Sequence, residues 1–238
     1  MRAVPNEAAR TENFEFTALS EAKNYRAALI REFSPYLRGN VLEVGAGIGQ
    51  LTEALLPNPS IKKFVSIEPD PGFCSKLRAL FPSHSIVEGT IDAVTDGKWN
   101  AILSVNVLEH IRDDERELQI YRRRLAEEEG TLCLFVPARA EIYGSIDRDF
   151  GHFRRYDKAG LGGRLEQAGF KVLKLRYYNI AGYFAWWLNF RLMQKRHFDA
   201  RAVRFFDRFI FPPIHACESA ICPPPLGQSL LAVAQAKT

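Results

Sequence analysis

The stretch VLEVGAGIGQL, Val41 to Leu51, decides the fold. It begins with an apolar run that is typical of a buried strand, and it continues with glycines at alternate positions, Gly45, Gly47 and Gly49. Several nucleotide-binding folds begin with a glycine-rich turn after the first strand, because the missing side chains let a ligand approach the backbone. The stretch therefore predicts an α/β protein with a ligand at the end of its first strand.

Strand and helix patterns alternate along the chain from about residue 40 onward. The predicted strands are NVLEVGA, KFVSIEP, SIVEGT, NAILSVN, TLCLFVP, KVLKLRYY and GQSLLAVAQA. The predicted helices between them follow Gly49 and cover PGFCSKLRALF, DDERELQIYRRRLAEEE and KAGLGGRLEQAG. This alternation predicts a doubly wound, mostly parallel seven-stranded sheet with helices on both faces. Ligands of such sheets bind at the carboxyl ends of the strands.

The glycine turn differs from the common phosphate-binding motifs. A dinucleotide site of the G-x-G-x-x-G type needs a small residue where this chain has Gln50, and the chain has no G-x-x-x-x-G-K-[ST] run. The run EVGAGIG, which opens with an acid inside the strand, instead resembles the first motif of class I S-adenosylmethionine-dependent methyltransferases. The resemblance implies a Rossmann-like methyltransferase fold. It also implies that Gly45, Ala46, Gly47 and Gly49 close on the methionine end of the methyl donor, and that Glu43 orders contacts to its ammonium group.

Three further segments match the same superfamily in order and spacing. SIEPDP puts Glu68, followed by Pro69, at the end of the second strand, where a carboxylate can accept hydrogen bonds from both ribose hydroxyls. EGTIDAV resembles the adenine-binding step, and SVNVLEH resembles the segment after the fourth strand that faces the methionine and the sulfonium. The residues that this resemblance implies are Thr90, Ile91, Asp92, Asn106 and Val107. Two alternatives are that Glu68 is an ordinary surface acid and that Asp92 caps a helix.

The expected cofactor is S-adenosyl-L-methionine, with S-adenosyl-L-homocysteine as its product. No metal is expected, because no second ligand lies at helical spacing from His110. The N-terminal segment FTALSEAKNYRAALIREFSPYL predicts an amphipathic helix that covers the methyl donor with Tyr25, or alternatively only packs on the sheet. The length of 238 residues fits a single methyltransferase domain over 1–238. Its expected parts are an N-terminal helical cap (1–37), a donor-binding core (40–137), an acceptor loop with an aromatic insertion (138–215) and a last strand (226–236).

The loop YGSIDRDFGHFRRY resembles a bacterial branch of the superfamily that carries GHxRRY after the fifth strand and methylates small molecules, glycans or lipids. O-methylation needs a base, and His152 is the best candidate because histidine titrates near neutral pH. The predicted acceptor-binding residues are Tyr143, Arg154, Arg155 and Tyr156. Alternatively, His152 and the arginines hold the loop together through Asp147 or Asp149.

Charge is concentrated in the second half of the chain. The whole protein carries a net charge of +4, whereas residues 148–208 contain fourteen Lys or Arg and five Asp or Glu. The aromatic segment over 180–211 is expected to line an acceptor pocket, to join two subunits of a homodimer, or to contact a membrane surface peripherally; packing as an insertion is the alternative. Four scattered cysteines without a CxxC pair favour a cytoplasmic location.

Two other classes of function stay open at this level. One is an NAD(P)-dependent oxidoreductase on a similar sheet, and the other is a non-catalytic protein that binds S-adenosylmethionine or associates with a membrane. A nucleic-acid methyltransferase is disfavoured, because NVLE stands where an N-P-P-[YF] signature would follow the fourth strand.

Overall fold

The structure, a computed structural model, describes residues 20–94, 97–127, 129–195, 199–220 and 224–237. Residues 1–19 of the expected N-terminal helical cap (1–37) and one of the four cysteines, Cys222, lie outside these ranges. The strands are β1 (Gly39–Val44), β2 (Ile61–Glu68), β3 (Ser85–Glu88), β4 (Ala101–Val105), β5 (Thr131–Pro137), β6 (Phe170–Tyr178) and β7 (Ser229–Ala236). The α-helices are α1 (Lys23–Phe33), α2 (Gln50–Leu55), α3 (Pro71–Leu80), α4 (Asp114–Arg124), α5 (Ser145–Asp149), α6 (Lys158–Gln167), α7 (Ile180–Trp186), α8 (Ala200–Phe205) and α9 (Phe211–Ala220).

The strands form one seven-stranded sheet in the order β3-β2-β1-β4-β5-β7-β6. β1 to β5 pair in parallel, and β7 runs antiparallel between β5 and β6. The strand order reverses between β1 and β4, so the carboxyl ends of these two strands open a crevice for a ligand. The predicted seven-stranded, mostly parallel Rossmann-like sheet is confirmed.

The core lies on both faces of the sheet, because successive side chains of a strand point to opposite sides. In β1, Leu42 and Val44 belong to one buried cluster and Val41 to the other, where it packs with Leu103 and Cys133. All seven residues of β5 are buried. The continuous apolar runs in the sequence therefore correspond to strands covered on both sides.

Aspartates set the starts of two helices that follow strands. The Asp70 side chain accepts a hydrogen bond from the Phe73 N–H ahead of α3, and the Asp113 side chain accepts one from the Arg116 N–H ahead of α4. The sequence predicted that the helix after the fourth strand extends through LAEEE, but α4 ends at Arg124. Leu125 has extended backbone and pairs with Trp99 in an isolated parallel bridge, which ends the helix.

The second half of the chain is more helical than the sequence indicated. The predicted long loop after β5 contains α5, and the aromatic segment forms two helical stretches. In the first, α7 continues into a π-helical turn (Trp187–Leu192); in the second, a π-helical turn (Phe206–Ile210) joins α8 to α9. This second stretch contacts α1, which covers the sheet near the strand ends. No helix among the described residues is long and apolar enough to cross a bilayer.

Candidate active site

The turn after β1 needs its glycines for steric reasons. Gly45, Gly47 and Gly49 have φ of 74°, 55° and 85°, in the left-handed region that side chains disfavour. A Cβ on Gly45 would also come within 2.4 Å of Val107 Cγ2. The turn can therefore pass closely under the loop after β4 only with glycine there.

The carboxylate of Glu68 holds this turn from the end of β2. Its Oε2 accepts a hydrogen bond from the Gly47 N–H at 2.7 Å, and its Oε1 accepts one from the Asp70 N–H at 2.9 Å. A carboxylate has acceptor positions for about four hydrogen bonds. Glu68 can thus shape the glycine turn and also receive hydroxyl groups of a ligand.

A cavity of about 610 Å³ opens at the carboxyl ends of β1, β2 and β4; we call it the strand-end cavity. Of the residues that the sequence analysis assigned to the cofactor, those on its walls are Tyr25, Gly45, Ala46, Gly47, Glu68, Pro69, Thr90, Ile91, Asp92, Asn106 and Val107. Asp92 is exposed on its rim, and the residue that precedes its 3-10 helix is Thr90, so Asp92 is not the helix cap. The wall also includes the apolar side chains of Phe73 and Ile111, which no sequence motif predicted.

Two predicted cofactor residues do not line this cavity. Glu43 is 2% exposed, and its Oε2 accepts hydrogen bonds from Thr52 Oγ1 and Ser66 Oγ, both at 2.6 Å. Burial raises the pKa of the Glu43 carboxyl above its usual value. Gly49 faces α3, since a Cβ there would meet Phe81 and Leu77. Neither residue is on the wall of the cavity: Glu43 is buried against Thr52 and Ser66, and Gly49 packs against α3. Direct contact between Glu43 and a ligand ammonium group is therefore not expected.

A second cavity, of about 960 Å³, adjoins the first; we call it the aromatic cavity. Its apolar wall consists of Trp186, Phe190, Phe205, Phe206 and Ile210. Four residues line both cavities: Ala22, Tyr25, Asn106 and Phe150. The two cavities therefore meet at the end of β4.

His152 lies on the wall of the aromatic cavity and is 7% exposed. Its Nδ1 is 3.2 Å from Asp147 Oδ1, which also accepts a hydrogen bond from Arg155 Nε at 2.7 Å. Burial alone would raise the pKa of the Asp147 carboxyl, but hydrogen bonds from His152, Arg155 and the Gly144 N–H hold it below its usual value. The ionised Asp147 therefore favours the His152 tautomer with the proton on Nδ1 and the lone pair on Nε2.

The fold does not bring the other predicted acceptor residues to the aromatic cavity, except for Arg155. Arg154 pairs with Asp114, and the Tyr156 hydroxyl donates to the same carboxylate at 2.9 Å. The Tyr143 hydroxyl donates to the His152 carbonyl at 2.7 Å. Tyr143, Arg154 and Tyr156 thus form contacts within the protein. The alternative interpretation concerned His152 and the arginines: His152 and Arg155 do contact Asp147, but the partner of Arg154 is Asp114 rather than an aspartate of the loop.

The aromatic segment also fixes α1 over the two cavities. Asp207, which is 4% exposed, accepts hydrogen bonds from the backbone N–H groups of Asn24 and Tyr25, both at 2.9 Å. These N–H groups belong to the first turn of α1, where backbone N–H groups have no acceptor within the helix. No pattern in the sequence predicts this contact, because an acid so distant along the chain is indistinguishable from a surface charge.

A cluster of potential metal ligands lies beside His152. Glu109 and His110, in the 3-10 turn after β4, offer ligand atoms that lie with that of His152 within 4.8 Å of one another. The His110 ring packs edge-on against the His152 ring. Loss of water around the ring lowers the pKa of His110 to about 4, although the residue as a whole is exposed. The sequence predicted no metal because no second ligand lies at helical spacing from His110. In this cluster, by contrast, the potential ligands come from two different loops.

Comparisons with known proteins agree with this geometry. A family model described as a methyltransferase domain matches residues 18–175. The fold is similar to that of a putative methyltransferase solved with the Trm112 activator of Haloferax volcanii (18% identity, 99% and 100% of the two chains, TM-score 0.64). It is also similar to a putative methyltransferase from Bacillus halodurans (20% identity, 90% and 99%, TM-score 0.58) and to an S-adenosylmethionine-dependent methyltransferase from Archaeoglobus fulgidus (16% identity, 90% and 94%, TM-score 0.59). No curated protein matches the chain.

Proposed function

The chain belongs to the methyltransferase domain family, and we propose that it transfers a methyl group from S-adenosylmethionine to a hydroxyl of a largely apolar acceptor. The observation that carries this proposal is the junction of the two cavities at Tyr25, Asn106 and Phe150. The methyl donor binds in the strand-end cavity, and the acceptor binds in the aromatic cavity. The family match favours this function over the nicotinamide-dependent oxidoreductase.

The residues of the strand-end cavity fit the methyl donor. Its volume lies within the range of small-molecule sites, and the backbone of the turn at Gly45, Ala46 and Gly47 forms part of its wall. Glu68 supplies a carboxylate for the ribose hydroxyls, and apolar side chains such as Ile91 and Phe73 can cover the adenine. When bound, S-adenosylmethionine supplies an electrophilic methyl group on a sulfonium.

The chain's own residues contribute position and proton transfer. Asn106 and Phe150, at the junction, hold the acceptor oxygen in line with the methyl group; such alignment is worth up to about 7–11 kcal/mol in well-oriented systems. Glu68 and the glycine turn would hold the donor, which would supply the methyl group and retain the electron pair of the carbon–sulfur bond on sulfur. The hydroxyl proton passes to His152 Nε2, and Asp147 stabilises the resulting imidazolium through Nδ1.

The aromatic cavity indicates the class of acceptor. Trp186, Phe190 and Phe206 offer apolar surface, whereas Asn179 and Gln228 offer a few polar contacts. This combination suits a small molecule, or a glycan- or lipid-linked acceptor, with an apolar body and a hydroxyl group. Asp147 already neutralises Arg155, which argues against an acceptor held mainly by that arginine.

The outer surface of the aromatic segment supports access to an acceptor in a membrane. Large apolar side chains are exposed on both of its helical stretches: Phe184, Trp187, Leu188, Leu192, Met193, Phe205 and Phe209. Basic side chains, including Arg191, Arg201 and Arg208, are exposed beside them. Apolar and basic groups together bind the surface of an anionic bilayer. We infer that this surface, over 180–211, contacts lipid peripherally.

Calorimetric titration with S-adenosylmethionine and S-adenosylhomocysteine tests the methyl donor, with NADH as the comparison ligand. We expect binding of both sulfur compounds, and a Kd for S-adenosylhomocysteine raised about tenfold to a hundredfold in Glu68→Ala, as for loss of hydrogen bonds to a charged group. Glu88→Ala, at the exposed end of β3, is the matched control and should bind normally. Absence of binding by folded protein would contradict the proposal.

A labelled-methyl screen separates the enzyme from a non-catalytic binding protein. The purified protein is incubated with methyl-labelled S-adenosylmethionine and with polar and lipid extracts of cells. We expect label in the apolar fraction that depends on active protein. If the protein binds the methyl donor but labels no fraction, the non-catalytic alternative is supported instead.

A further inference from the structure

Two loops bring three ligand-bearing side chains together at the junction of the two cavities. Glu109 and His110 come from the turn after β4, and His152 comes from the loop after β5. One ligand atom of each lies within 4.8 Å of the others. We propose that Glu109, His110 and His152 bind a divalent transition-metal ion.

The surroundings of His152 are those of a metal ligand. Its Nδ1 faces the ionised Asp147, so its Nε2 carries a lone pair, and no described residue forms a hydrogen bond with this nitrogen. Histidines that bind metals usually donate the proton of the other ring nitrogen to a carboxylate, which fixes the ring and raises its basicity. Asp147, itself held by Arg155 and the Gly144 N–H, orients His152 in this way.

Binding of an ion requires the three side chains to move closer together. His152 Nε2 lies 4.0 Å from Glu109 Oε1, which is too far for a hydrogen bond. In a tetrahedral site, two ligands at about 2.0–2.2 Å from one ion lie about 3.4 Å apart. The ligand atoms, which lie within 4.8 Å of one another, therefore have to approach by roughly an ångström. Side-chain rotation of the exposed His110 can supply part of this movement.

The set of ligands indicates the class of ion. Two imidazole nitrogens and one carboxylate oxygen favour Zn²⁺, Mn²⁺, Fe²⁺ or Co²⁺ over Mg²⁺ and Ca²⁺, which prefer oxygen. Glu109 is fully buried, and a cation bound beside it would stabilise its carboxylate form. Three protein ligands leave at least one coordination position open.

The position of the cluster suggests what the ion does. His110 lines the strand-end cavity and His152 lines the aromatic cavity, so the open position faces the point where the proposed methyl donor and acceptor meet. This role rests on the proposed function: the ion would bind the acceptor hydroxyl and lower its pKa, and the proton would pass to solvent water. With the ion bound, His152 Nε2 would be a ligand, so the proton transfer to His152 described above applies to the protein without a metal ion. Metal binding itself does not depend on that function.

Titration of the untagged, chelator-treated protein tests the site. We expect one equivalent of Zn²⁺ to bind by calorimetry, and Co²⁺ to give visible absorption bands typical of low coordination with nitrogen and oxygen ligands. His152→Asn and His110→Asn should each weaken Zn²⁺ binding at least about a hundredfold, and Asp147→Asn about tenfold to a hundredfold. His215→Asn, a histidine on α9 outside the cluster, is the matched control and should bind normally.

The outcomes are distinct from those for the methyl donor. No binding of Zn²⁺, Mn²⁺ or Co²⁺ to folded protein, or equal affinity in His110→Asn and the wild type, would overturn the metal site. His110→Asn serves if His152→Asn does not fold, because His110 is exposed. If the protein binds S-adenosylhomocysteine but none of the metal ions, only the metal site is contradicted. If it binds a metal ion but not S-adenosylhomocysteine, only the proposed function is contradicted.

Discussion

Asn106 has a backbone φ of 53° at the point where the two cavities meet. Few residues other than glycine adopt this conformation, and asparagine is the commonest of them. Its N–H donates to the Phe135 carbonyl at 2.9 Å, which fixes the chain as it leaves β4. The turn directs the next residues, Val107 to His110, across the strand-end cavity. Backbone strain of this kind is frequent at functional sites.

His152 is the residue on which proton transfer is predicted to depend. His152→Gln should lower the rate of methyl transfer about 10²- to 10⁴-fold, the usual contribution of a general base, and leave the Kd for S-adenosylmethionine unchanged. The comparison uses the acceptor found in the labelled-methyl screen, with a chelator present so that no metal ion contributes. His215→Gln is the control.

Asp147 acts through His152 and is a positioning residue. Asp147→Asn should lower the rate and also shift its pH dependence, because the imidazolium would lose its ionised partner. Rates within threefold of the wild type in both variants would instead mean that the transfer works by positioning alone.

At the scale of elements, α1 is joined to the aromatic segment by one carboxylate. Asp207→Ala leaves the N–H groups of Asn24 and Tyr25 without their acceptor. We expect the free energy of unfolding to fall by roughly 1–3 kcal/mol and the Tm by about 2–4 °C per kcal/mol. Thermal denaturation followed by circular dichroism checks this, with Asp149→Ala, an exposed aspartate, as the control. Equal Tm values for the two variants would show that the carboxylate does not stabilise the contact.

A second contact ties α1 to the edge strand β6. Burial opposes ionisation of Glu32, but its hydrogen bonds and ion pairs with Lys174 and Arg176 lower its pKa below the usual 4.5. A lowered pKa stabilises the folded state at pH values above 4.5, and this stabilisation is lost as the pH falls through the folded-state pKa. Glu32→Gln should therefore cost about 1–2 kcal/mol at pH 7 and progressively less below pH 4.5.

Urea denaturation at several pH values measures this difference. Glu129→Gln removes an exposed pair with Arg38 and should have almost no effect at any pH. A cost of Glu32→Gln that did not vary between pH 7 and the acid range would rule out the ionic contribution.

At the scale of the whole molecule, the aromatic segment is expected to give the protein one membrane-facing side. Leu192, on the π-helical turn after α7, is 60% exposed, and Leu80, at the end of α3, is 63% exposed. Leu192→Ser should weaken co-sedimentation with vesicles that contain phosphatidylserine, whereas Leu80→Ser should not. Vesicles of phosphatidylcholine alone should bind less, because they lack the anionic charge that attracts the arginines. If wild-type protein does not sediment with anionic vesicles, the surface does not bind lipid.

Local patterns in the sequence were sufficient for the fold and for most of the strand-end cavity. The apolar runs, the turn from Gly45 to Gly49 and the acid at the end of β2 depend on neighbours along the chain, which a sequence displays directly. Most of the residues assigned to the cofactor do line that cavity. Glu43 is the instructive difference, because its place in the strand was predicted but its burial behind Thr52 and Ser66 was not.

The sequence by itself determined the sheet, the glycine turn and the class of ligand expected there, because strand periodicity and turn chemistry act over a few residues. Only the tertiary structure decided how distant polar side chains pair. It directed Arg154 and Tyr156 to Asp114, and it brought His152 to Glu109 and His110. The partner of a buried charge depends on how the loops pack. Residues that pair in this way can lie at any distance along the chain, so the sequence contains no fixed spacing that predicts the pair.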